Sequence, residues 1–433
     1  MADLAEIVLC PRCNGEMSRV EMDLCCDCGY RLIFSEGFFG TKDGVERTNS
    51  YAEFYTEEYY KSSLYDYTSY RLDKIVALAR PGPGRRIIDL GCGPGEIAIR
   101  CAKMDAEVYG IDVSKDALRL SSERCAREKV RVRLFEFDGE KVPFKESMFD
   151  SIILSDVVEH VEDETLDLLL GECARLLKSD GRLIIHTSPA RNIIHLTKII
   201  KSASFGRYDL HARLVNPDYE HLHVRYHSLG SLRRLLKTNS LYPIMWGEVQ
   251  YLADSKLAKL LGRLGMGEIF SDQIWSVAFK DQRFLPQNHG DKPFFHLIEP
   301  LSEIDLGKCD DIYLNYGFYD SELDRFRWTG RRCSLFINVP EGRKRLEIEL
   351  QTSNPDVRRG PVRANLWLGE DPISSFDLCD SSMKVLNFEI DEDVRPGMTE
   401  LKLEVDRTFV PRELGMNDDP RDLGVAIYRV AIF

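Results

Sequence analysis

Residues 85–96 read RRIIDLGCGPGE and join an apolar strand pattern to a glycine-rich turn. The run IIDL predicts a buried β-strand, and the three closely spaced glycines predict a sharp turn into a helix. Such a loop allows a ligand to approach the backbone at the start of the helix. Glu96 occupies the position where a dinucleotide fingerprint has its third glycine, so the loop does not match that motif. Asp89 would repel a pyrophosphate but suits a cationic amino-acid ligand.

Strand and helix patterns alternate on the C-terminal side of this turn. The stretches AEVYGIDV, VRVRLFEF, FDSIILSD and GRLIIHT read as strands, with helical patterns at 95–104, 115–128 and 162–178. This alternation predicts a parallel sheet covered by helices on both faces, which is a doubly wound α/β domain. We place the domain at residues 50–282.

Acidic residues stand at the ends of the predicted strands. Asp112 ends the second strand, Asp138 follows the third, and Ser155 with Asp156 ends the fourth. Because the carboxyl ends of parallel strands meet at one edge of a sheet, we expect these side chains to surround one ligand. Asp112 is placed to accept hydrogen bonds from ribose hydroxyls, and Asp138 is placed to accept one from an adenine amino group.

Four motifs, IIDLGCGPG, YGIDVS, FDGEKVPF and SDVVEHV, occur in this order. Together they resemble the class I S-adenosylmethionine-dependent methyltransferases, over about residues 50–250. The resemblance implies a Rossmann-like sheet, an enzyme, and S-adenosylmethionine as the cofactor. The residues that it assigns to the cofactor are Asp89, Gly91, Gly93, Gly95, Asp112, Asp138, Gly139 and Ser155, with Tyr70 and Arg71 closing the site.

The stretch DYEHLHVRYHS offers candidates for the methyl-accepting side. Methyl transfer to an oxygen of high pKa needs a base, and histidine is the usual choice near neutral pH. We predict His223 as the base and His221 as the second candidate, because the segment resembles one near the acceptor pocket of these enzymes. The alternatives are that the histidines only order the loop, or that Asp218, Glu220 and a histidine bind a divalent metal. His160 is a further candidate for the acceptor side, although a histidine at such a position is more often a packing residue.

Five of the twelve cysteines lie within residues 10–28. Their spacing, Cys10-x2-Cys13 and then Cys25-x2-Cys28, predicts a zinc ribbon at residues 1–40 with four thiolate ligands. Cys26 is expected to lie outside this set. A site filled by four cysteines is closed and therefore structural, not catalytic. The alternative is four cysteines without a metal.

The chain has 433 residues, of which 43% are hydrophobic and 30% charged, as in soluble globular proteins. Neither a run of eighteen apolar residues nor a secretory signal is found, so we expect a cytoplasmic protein. The formal charge of −13 argues against general nucleic-acid binding.

Residues 191–263 nevertheless carry twelve Lys/Arg against five Asp/Glu. These residues could form a basic helical lid, which would suit an anionic acceptor such as a glycolipid at the inner membrane face. The alternative is that they form ordinary helices that pack on the sheet and expose their lysines to solvent.

After a predicted linker at 283–309, apolar and polar residues alternate with a period of two, as in RLEIELQT. This pattern predicts an antiparallel, jelly-roll-like β-sandwich at 310–433. The region resembles a tail found on sugar-modifying and polysaccharide-assembly transferases, which implies a carbohydrate context. Trp328 with Arg327 and Arg331 could bind a sugar, or Arg331 and Arg332 could pair with the aspartates at 418, 419 and 422.

The residues and the resemblance together predict a methyltransferase that acts on a hydroxyl of a glycan or of a nucleotide- or lipid-linked sugar. One alternative is an rRNA or tRNA base methyltransferase, since some relatives place a zinc finger before the same fold. The overall acidity argues against this alternative. The other alternative is a non-catalytic glycan-binding or assembly subunit, which the intact cofactor motifs argue against.

Overall fold

The computed structural model describes residues 4–41, 56, 60, 69–136, 142–205, 207, 223–248, 271–286, 293–307, 310–323, 325–342, 344–391 and 393–433. The chain divides into two compact units, Met1–Pro293 and Phe294–Phe433. The first unit contains the α/β sheet and the N-terminal cysteines, and the second is rich in β-strands. No helix in the described ranges has both the length and the apolar character needed to cross a membrane.

The described part of the first unit contains a sheet of eleven strands, in the order β1-β2-β3-β4-β7-β6-β5-β8-β9-β11-β10. Its strands are β1 (Met17–Val20), β2 (Asp23–Cys26), β3 (Arg31–Ser35), β4 (Phe38–Thr41), β5 (Arg86–Leu90), β6 (Glu107–Asp112), β7 (Val132–Glu136), β8 (Phe149–Ser155), β9 (Leu177–Thr187), β10 (Tyr242–Glu248) and β11 (Gln273–Phe279). The helices are α1 (Leu4–Ile7), α2 (Ser69–Ala79), α3 (Glu96–Ala102), α4 (Lys115–Glu128), α5 (Asp163–Leu176), α6 (Arg191–Ala203) and α7 (Leu229–Thr238).

The five central strands, β7-β6-β5-β8-β9, are parallel and form the predicted α/β core. Ile87 and Ile88 of β5 are fully buried, as expected for a strand covered on both faces. The register places Asp89 opposite Gly110 and Asp112 opposite Glu136. The carboxyl ends of these strands therefore meet at one edge, as the sequence predicts.

Antiparallel strands close the other side of this core. β11 lies within the stretch QIWSVAFK, which we expected to form a strand, and pairs with β9. β10 pairs with β11 at the edge of the sheet. All seven residues of β11 are buried, including the polar Gln273 and Ser276.

The cysteine-rich N-terminus is part of the same sheet, which differs from the separate ribbon that the sequence suggests. β1, β2, β3 and β4 form an antiparallel meander, and β4 then pairs with β7 in parallel. Phe38 and Phe39 of β4 are both buried, one on each face of the sheet. The meander thus covers the edge of β7, which would otherwise expose unpaired backbone groups.

The second unit is antiparallel, and its described strands pair in the order β17-β16-β19-β14-β20-β15-β18, with β12 beside β20 and β13 beside β14. The bounds are α8 (Pro293–Leu297), β12 (Glu303–Asp305), β13 (Leu314–Glu322), β14 (Phe326–Val339), β15 (Lys344–Gln351), β16 (Val362–Leu368), β17 (Asp371–Leu378), β18 (Lys384–Ile390), β19 (Gly397–Val405) and β20 (Ala426–Ile432). The predicted β-rich, antiparallel character is confirmed, and the sandwich arrangement stays a prediction.

The predicted linker at 283–309 is not a linker along its whole length. Ile304 of β12 pairs with Val430 of β20, and Ile304 and Leu306 are both buried. These apolar residues place the second half of that region in the core of the second unit. The Pro and Gly residues that suggested a linker lie mainly before α8.

Candidate active site

Two buried carboxylates and a glycine loop lie at the carboxyl edge of the parallel strands. Asp89 of β5 is 2% exposed, and Asp112 at the end of β6 is 7% exposed. The Gly93 amide donates to Asp112 Oδ2 at 2.8 Å, and the Ser114 amide donates to Asp112 Oδ1 at 2.8 Å. Asp112 therefore fixes the glycine loop relative to the start of α4.

The surroundings of these carboxylates favour their neutral forms. Burial raises the pKa of Asp89 to about 7; the charge of Asp112 adds to this increase and the Ala98 amide opposes it. Burial also raises the pKa of Asp112, against the opposing effect of the Ser114 and Gly93 amides. Among the described residues, Asp89 Oδ2 has no hydrogen-bond partner. A cationic ligand with a donor at this position would satisfy that oxygen and stabilise the charged form of both carboxyls.

The loop at positions 91–95 turns because its glycines adopt left-handed backbone angles. φ is 77° at Gly91, 51° at Gly93 and 83° at Gly95. Gly95 directly precedes α3, and a Cβ at this position would lie 2.4 Å from Ser121 Oγ of α4. Glycine is required there because the chain both turns and passes close to a neighbouring helix.

The other predicted cofactor residues lie at the next strand end or outside the described residues. Ser155 ends β8, and its Oγ donates to Asp156 Oδ2 at 3.2 Å. Arg71 of α2 forms an ion pair with the same carboxylate oxygen at 3.3 Å. Tyr70, the preceding residue, is 46% exposed. The residues predicted to contact adenine, Asp138 and Gly139, are outside the described residues.

The partners of Asp156 were not identified from the sequence. Its Oδ1 lies 2.8 Å from Nδ1 of His186, a fully buried residue of β9. Burial acts to raise the pKa of Asp156, but the Arg71 guanidinium and His186 outweigh it, so this pKa lies below its usual range. Asp156 also has a left-handed backbone with φ of 55°, a strained conformation that is common at functional sites. An ionised carboxylate thus stands at the end of β8.

Glu159 lies in a short helical turn after β8 and is 2% exposed. Burial raises its pKa to about 8, and the charge of Asp156 contributes. The Thr187 hydroxyl donates to Glu159 Oε2 at 2.9 Å. Glu159, His160 and His223 each offer one potential ligand atom, and these atoms lie within 4.8 Å of one another. A carboxyl and two imidazoles in this arrangement fit proton transfer or the binding of a divalent cation.

His223, the first predicted base, is thus placed beside the turn that follows β8. Its ring centroid is 4.9 Å from that of His160 and 5.5 Å from that of Tyr226. His227 is buried, and its Nε2 donates to the Val158 carbonyl at 3.1 Å, so this residue orders the chain. His221, the second predicted base, lies outside the described residues. The alternative metal ligands Asp218 and Glu220 also lie outside them.

Four cysteine sulfurs meet near the N-terminus, but they are not the four that the spacing predicts. The Sγ atoms of Cys10, Cys13, Cys26 and Cys28 lie within 4.8 Å of one another. The Cys10–Cys28 and Cys13–Cys26 separations are 3.6 Å and 3.5 Å. Neighbouring residues of a strand point to opposite faces, and in β2 it is Cys26 that is buried. The structure therefore replaces Cys25 by Cys26 in the predicted set.

The arginines singled out in the second unit form ion pairs there. Arg327 is 5% exposed, and its guanidinium donates to both carboxylate oxygens of Asp310 at 2.7 and 2.8 Å. It therefore forms a buried ion pair with Asp310 inside the unit. Arg331 and Arg332 face Glu404, at 4.0 and 3.0 Å, in place of the aspartates suggested by the sequence.

Part of this chain is similar to known proteins. Residues 87–181 match the family model described as a methyltransferase domain. The ubiquinone biosynthesis O-methyltransferase of Alkalilimnicola ehrlichii is 35% identical over 125 residues, which are 29% of this chain and 50% of that protein. The protein of the same name from Mesorhizobium japonicum is 31% identical over 126 residues, with the same two shares. The chain thus spans about half the length of the curated relatives that it matches.

Solved structures of similar fold include two methyltransferases. Phosphoethanolamine N-methyltransferase 2 of Haemonchus contortus is 18% identical, with a TM-score of 0.41 over 55% of this chain and 62% of that one. Geranyl diphosphate C-methyltransferase of Streptomyces coelicolor is 17% identical, with a TM-score of 0.36 over 55% of this chain and 88% of that one. Residues 87–181, which match the methyltransferase-domain model, hold the glycine loop and both buried carboxylates.

Proposed function

We propose that this protein is an S-adenosylmethionine-dependent methyltransferase that methylates a hydroxyl of a glycan or of a nucleotide- or lipid-linked sugar. Asp89 carries the cofactor part of the proposal, because its buried Oδ2 has no partner among the described residues and lies near the second buried carboxyl, Asp112. The cofactor combines a cationic amino-acid end with ribose hydroxyls, which are the groups that two buried carboxylates can accept. The curated relatives are named as O-methyltransferases, which supports an oxygen acceptor.

S-adenosylmethionine, held by Asp89, Asp112 and the glycine loop, would supply an electrophilic methyl group to the acceptor oxygen. The enzyme holds the two partners in line and removes the hydroxyl proton, which a sugar does not lose by itself near neutral pH. His223 accepts this proton in the proposed mechanism. His160 and Glu159 lie beside His223, and the ring centroids of the two histidines are 4.9 Å apart.

A divalent cation is the second candidate for the same cluster. One carboxylate and two imidazoles are a suitable ligand set for such an ion. A cation bound by Glu159, His160 and His223 would compensate the charge of Asp156 and lower the pKa of a coordinated acceptor hydroxyl. Methyl transfer measured after chelation, with zinc returned to every sample, separates the two mechanisms. Unchanged turnover assigns His223 as the base, and turnover restored only by Mg²⁺ or Mn²⁺ assigns the cation.

The proposed acceptor class rests on two features of the chain. The second unit is antiparallel and β-rich, which supports the proposed sandwich and its carbohydrate context. Helix α6 buries Ile193 and Ile194 and exposes Lys198 and Lys201, which supports a basic lid over an anionic, membrane-surface acceptor. Labelled methyl transfer to an extracted glycan fraction and to total RNA tests this. Label in glycan supports the proposal, and label only in RNA replaces it by the nucleic-acid alternative.

We propose zinc as the ion of the four-cysteine cluster. Tetrahedral zinc with Zn–S bonds of about 2.3 Å separates its sulfurs by about 3.8 Å. The closest sulfur pairs, at 3.5 and 3.6 Å, are near this value. Because four thiolates fill the coordination sphere, the ion would be structural. Metal analysis of the purified protein should give about one zinc per chain.

A further inference from the structure

Asp156, at the carboxyl end of β8, is a carboxylate that takes no part in the proposed proton transfer. Three elements hold it in place. Arg71 of α2 pairs with its Oδ2 at 3.3 Å, the Ser155 hydroxyl donates to the same oxygen, and His186 of β9 lies 2.8 Å from its Oδ1. His186 is fully buried, and its ring lies against that of Trp275 with centroids 4.5 Å apart. The position of the Asp156 carboxylate is therefore fixed by its surroundings.

The neighbours of Asp156 in the chain place it between the candidate cofactor site and the acceptor-side histidines. Val157, the next residue, packs against the glycine loop, since a Cβ on Gly91 would lie 2.5 Å from Val157 Cγ2. Three residues after Asp156, Glu159 belongs to the cluster that includes His223. Methyl transfer connects these two sites, so the cofactor sulfur and the acceptor oxygen must approach each other near the end of β8.

Asp156 differs in charge from the other carboxyls at this edge of the sheet. Burial raises the pKa of Asp89 to about 7 and that of Glu159 to about 8, so both bind a proton readily. Burial also acts against the ionisation of Asp156, but Arg71 and His186 outweigh it and hold the pKa of Asp156 below its usual range. Asp156 is therefore a fixed negative charge between the two sites.

S-adenosylmethionine and S-adenosylhomocysteine differ only at the sulfur, which in the first carries a methyl group and a positive charge. The amino-acid end, the ribose and the adenine are common to both compounds. A negative charge near the sulfur therefore attracts the methyl donor more than the product. Only 21% of the Asp156 side chain is exposed, so water screens little of this attraction.

We propose that Asp156 makes the site prefer the positively charged S-adenosylmethionine over its uncharged product. This inference rests on the proposed function for the identity of the cofactor, and it adds the residue that reads the charge on the cofactor. Once the methyl group has been transferred, the sulfur is uncharged and the attraction to Asp156 is lost. The same carboxylate thus favours binding of the donor and release of the product.

The Kd for S-adenosylhomocysteine divided by the Kd for S-adenosylmethionine measures this preference, because contacts with the shared groups cancel. Calorimetry of the full-length protein with each compound gives both constants. Asp156→Asn keeps the size of the side chain and removes its charge, and it leaves the Arg71 charge without this opposing carboxylate. We expect the ratio of the two constants to fall about tenfold in this variant.

Asp150→Asn is a matched control on the same strand. Asp150 lies near the other end of β8, about 20 Å from Asp156, and accepts a hydrogen bond from Lys178 at 2.8 Å. The ratio should stay within about twofold of wild type in this variant. An equal fall in both variants would show that the effect is not local to the end of β8, and it would overturn the inference.

Arg71→Gln tests the opposite sign and covers the case in which Asp156→Asn does not fold. This variant removes the cation beside Asp156, so we expect the ratio to rise about threefold or more. Any contact of Arg71 with the amino-acid end is lost for both compounds and does not change the ratio.

A ratio that does not fall in folded Asp156→Asn overturns the inference and leaves the proposed function intact. Where that variant does not fold, a ratio that does not rise in Arg71→Gln overturns it in the same way. A wild-type protein that binds neither compound refutes the proposed function together with this inference.

Discussion

Asp89 shows how one side chain can link cofactor binding to pH. Burial and the charge of Asp112 raise its pKa to about 7, so the free protein holds a proton there below neutral pH. A cationic cofactor favours the ionised carboxylate, and this proton must leave before the two can pair. Cofactor binding and proton release are therefore expected to be coupled.

We expect the affinity for S-adenosylmethionine to rise with pH, by about tenfold per unit below the pKa of Asp89. The sign follows because binding removes a proton from a group whose pKa is raised in the free protein. Calorimetry at several pH values in two buffers of different ionisation enthalpy measures both the affinity and the released protons. In Asp89→Asn the affinity should be lower and should depend less on pH than in wild type. A wild-type affinity that does not change across this range would contradict the assignment.

His223 provides a prediction about turnover. If this histidine is the base, His223→Ala should lower kcat by about 10²- to 10⁴-fold and leave the Kd for S-adenosylhomocysteine unchanged. His195→Ala is a suitable control, because His195 is an exposed histidine of α6 that is not a member of the cluster. Initial rates with the identified acceptor measure the effect. Equal rates in His223→Ala and wild type would remove the base assignment.

The residues of the candidate site differ in how far the sequence could identify them. Asp89 and Asp112 were predicted because each lies in a local motif whose strand and turn are encoded by neighbouring residues. His186 gave only a weak signal, a polar residue within the apolar run LIIHT, and its partner Asp156 is far away in the chain. Spacing alone could not separate Cys25 from Cys26, since the choice depends on which face of β2 is buried.

The glycine loop joins β5 to α3, and its glycines are not equivalent. Gly93 and Gly95 both have positive φ, which costs other residues about 1–2 kcal/mol. A Cβ at Gly95 would overlap Ser121 Oγ at 2.4 Å, whereas at Gly93 the nearest atom, Tyr60 Cε1, is 3.6 Å away. Ser121 is fully buried and cannot move aside easily.

We therefore expect Gly95→Ala to destabilise the protein by about 2–4 kcal/mol, through backbone strain plus overlap with α4. Gly93→Ala should cost only about 1–2 kcal/mol, from backbone strain alone. Urea unfolding of the two variants gives these differences under identical conditions. Equal losses of unfolding free energy in the two variants would show that overlap with Ser121 does not add to the cost of a side chain at position 95.

Local patterns also explain which strands could be predicted. β5, β6 and β8 are buried along almost their whole length, since parallel strands are covered on both faces. The pairing of β4 with β7 joins residues almost one hundred positions apart, and no local pattern encodes it. β12 was included in a linker because it is short and follows several turn-forming residues, although its partner β20 lies near the C-terminus.

The chain divides into two units, and their chemistry differs. The unit Met1–Pro293 contains the cysteine cluster, the glycine loop and the acceptor-side histidines. The unit Phe294–Phe433 has its own buried residues, such as Leu346, Ile348 and Leu350 of β15. Each unit can therefore unfold as a cooperative body, as compact units with separate cores usually do.

We expect calorimetry of the whole protein to show two unfolding transitions. S-adenosylhomocysteine at about 100 times its Kd should stabilise the first unit by about 2.7 kcal/mol and raise its Tm by about 4–5 °C. Removal of zinc should lower that same transition, because the strands β1–β4 around the cysteine cluster are part of the first unit's sheet. The second transition should not respond to either treatment, which makes it an internal control in every scan. Two transitions that shift together, or a zinc effect confined to the second, would show that the cluster does not stabilise the unit that binds the cofactor.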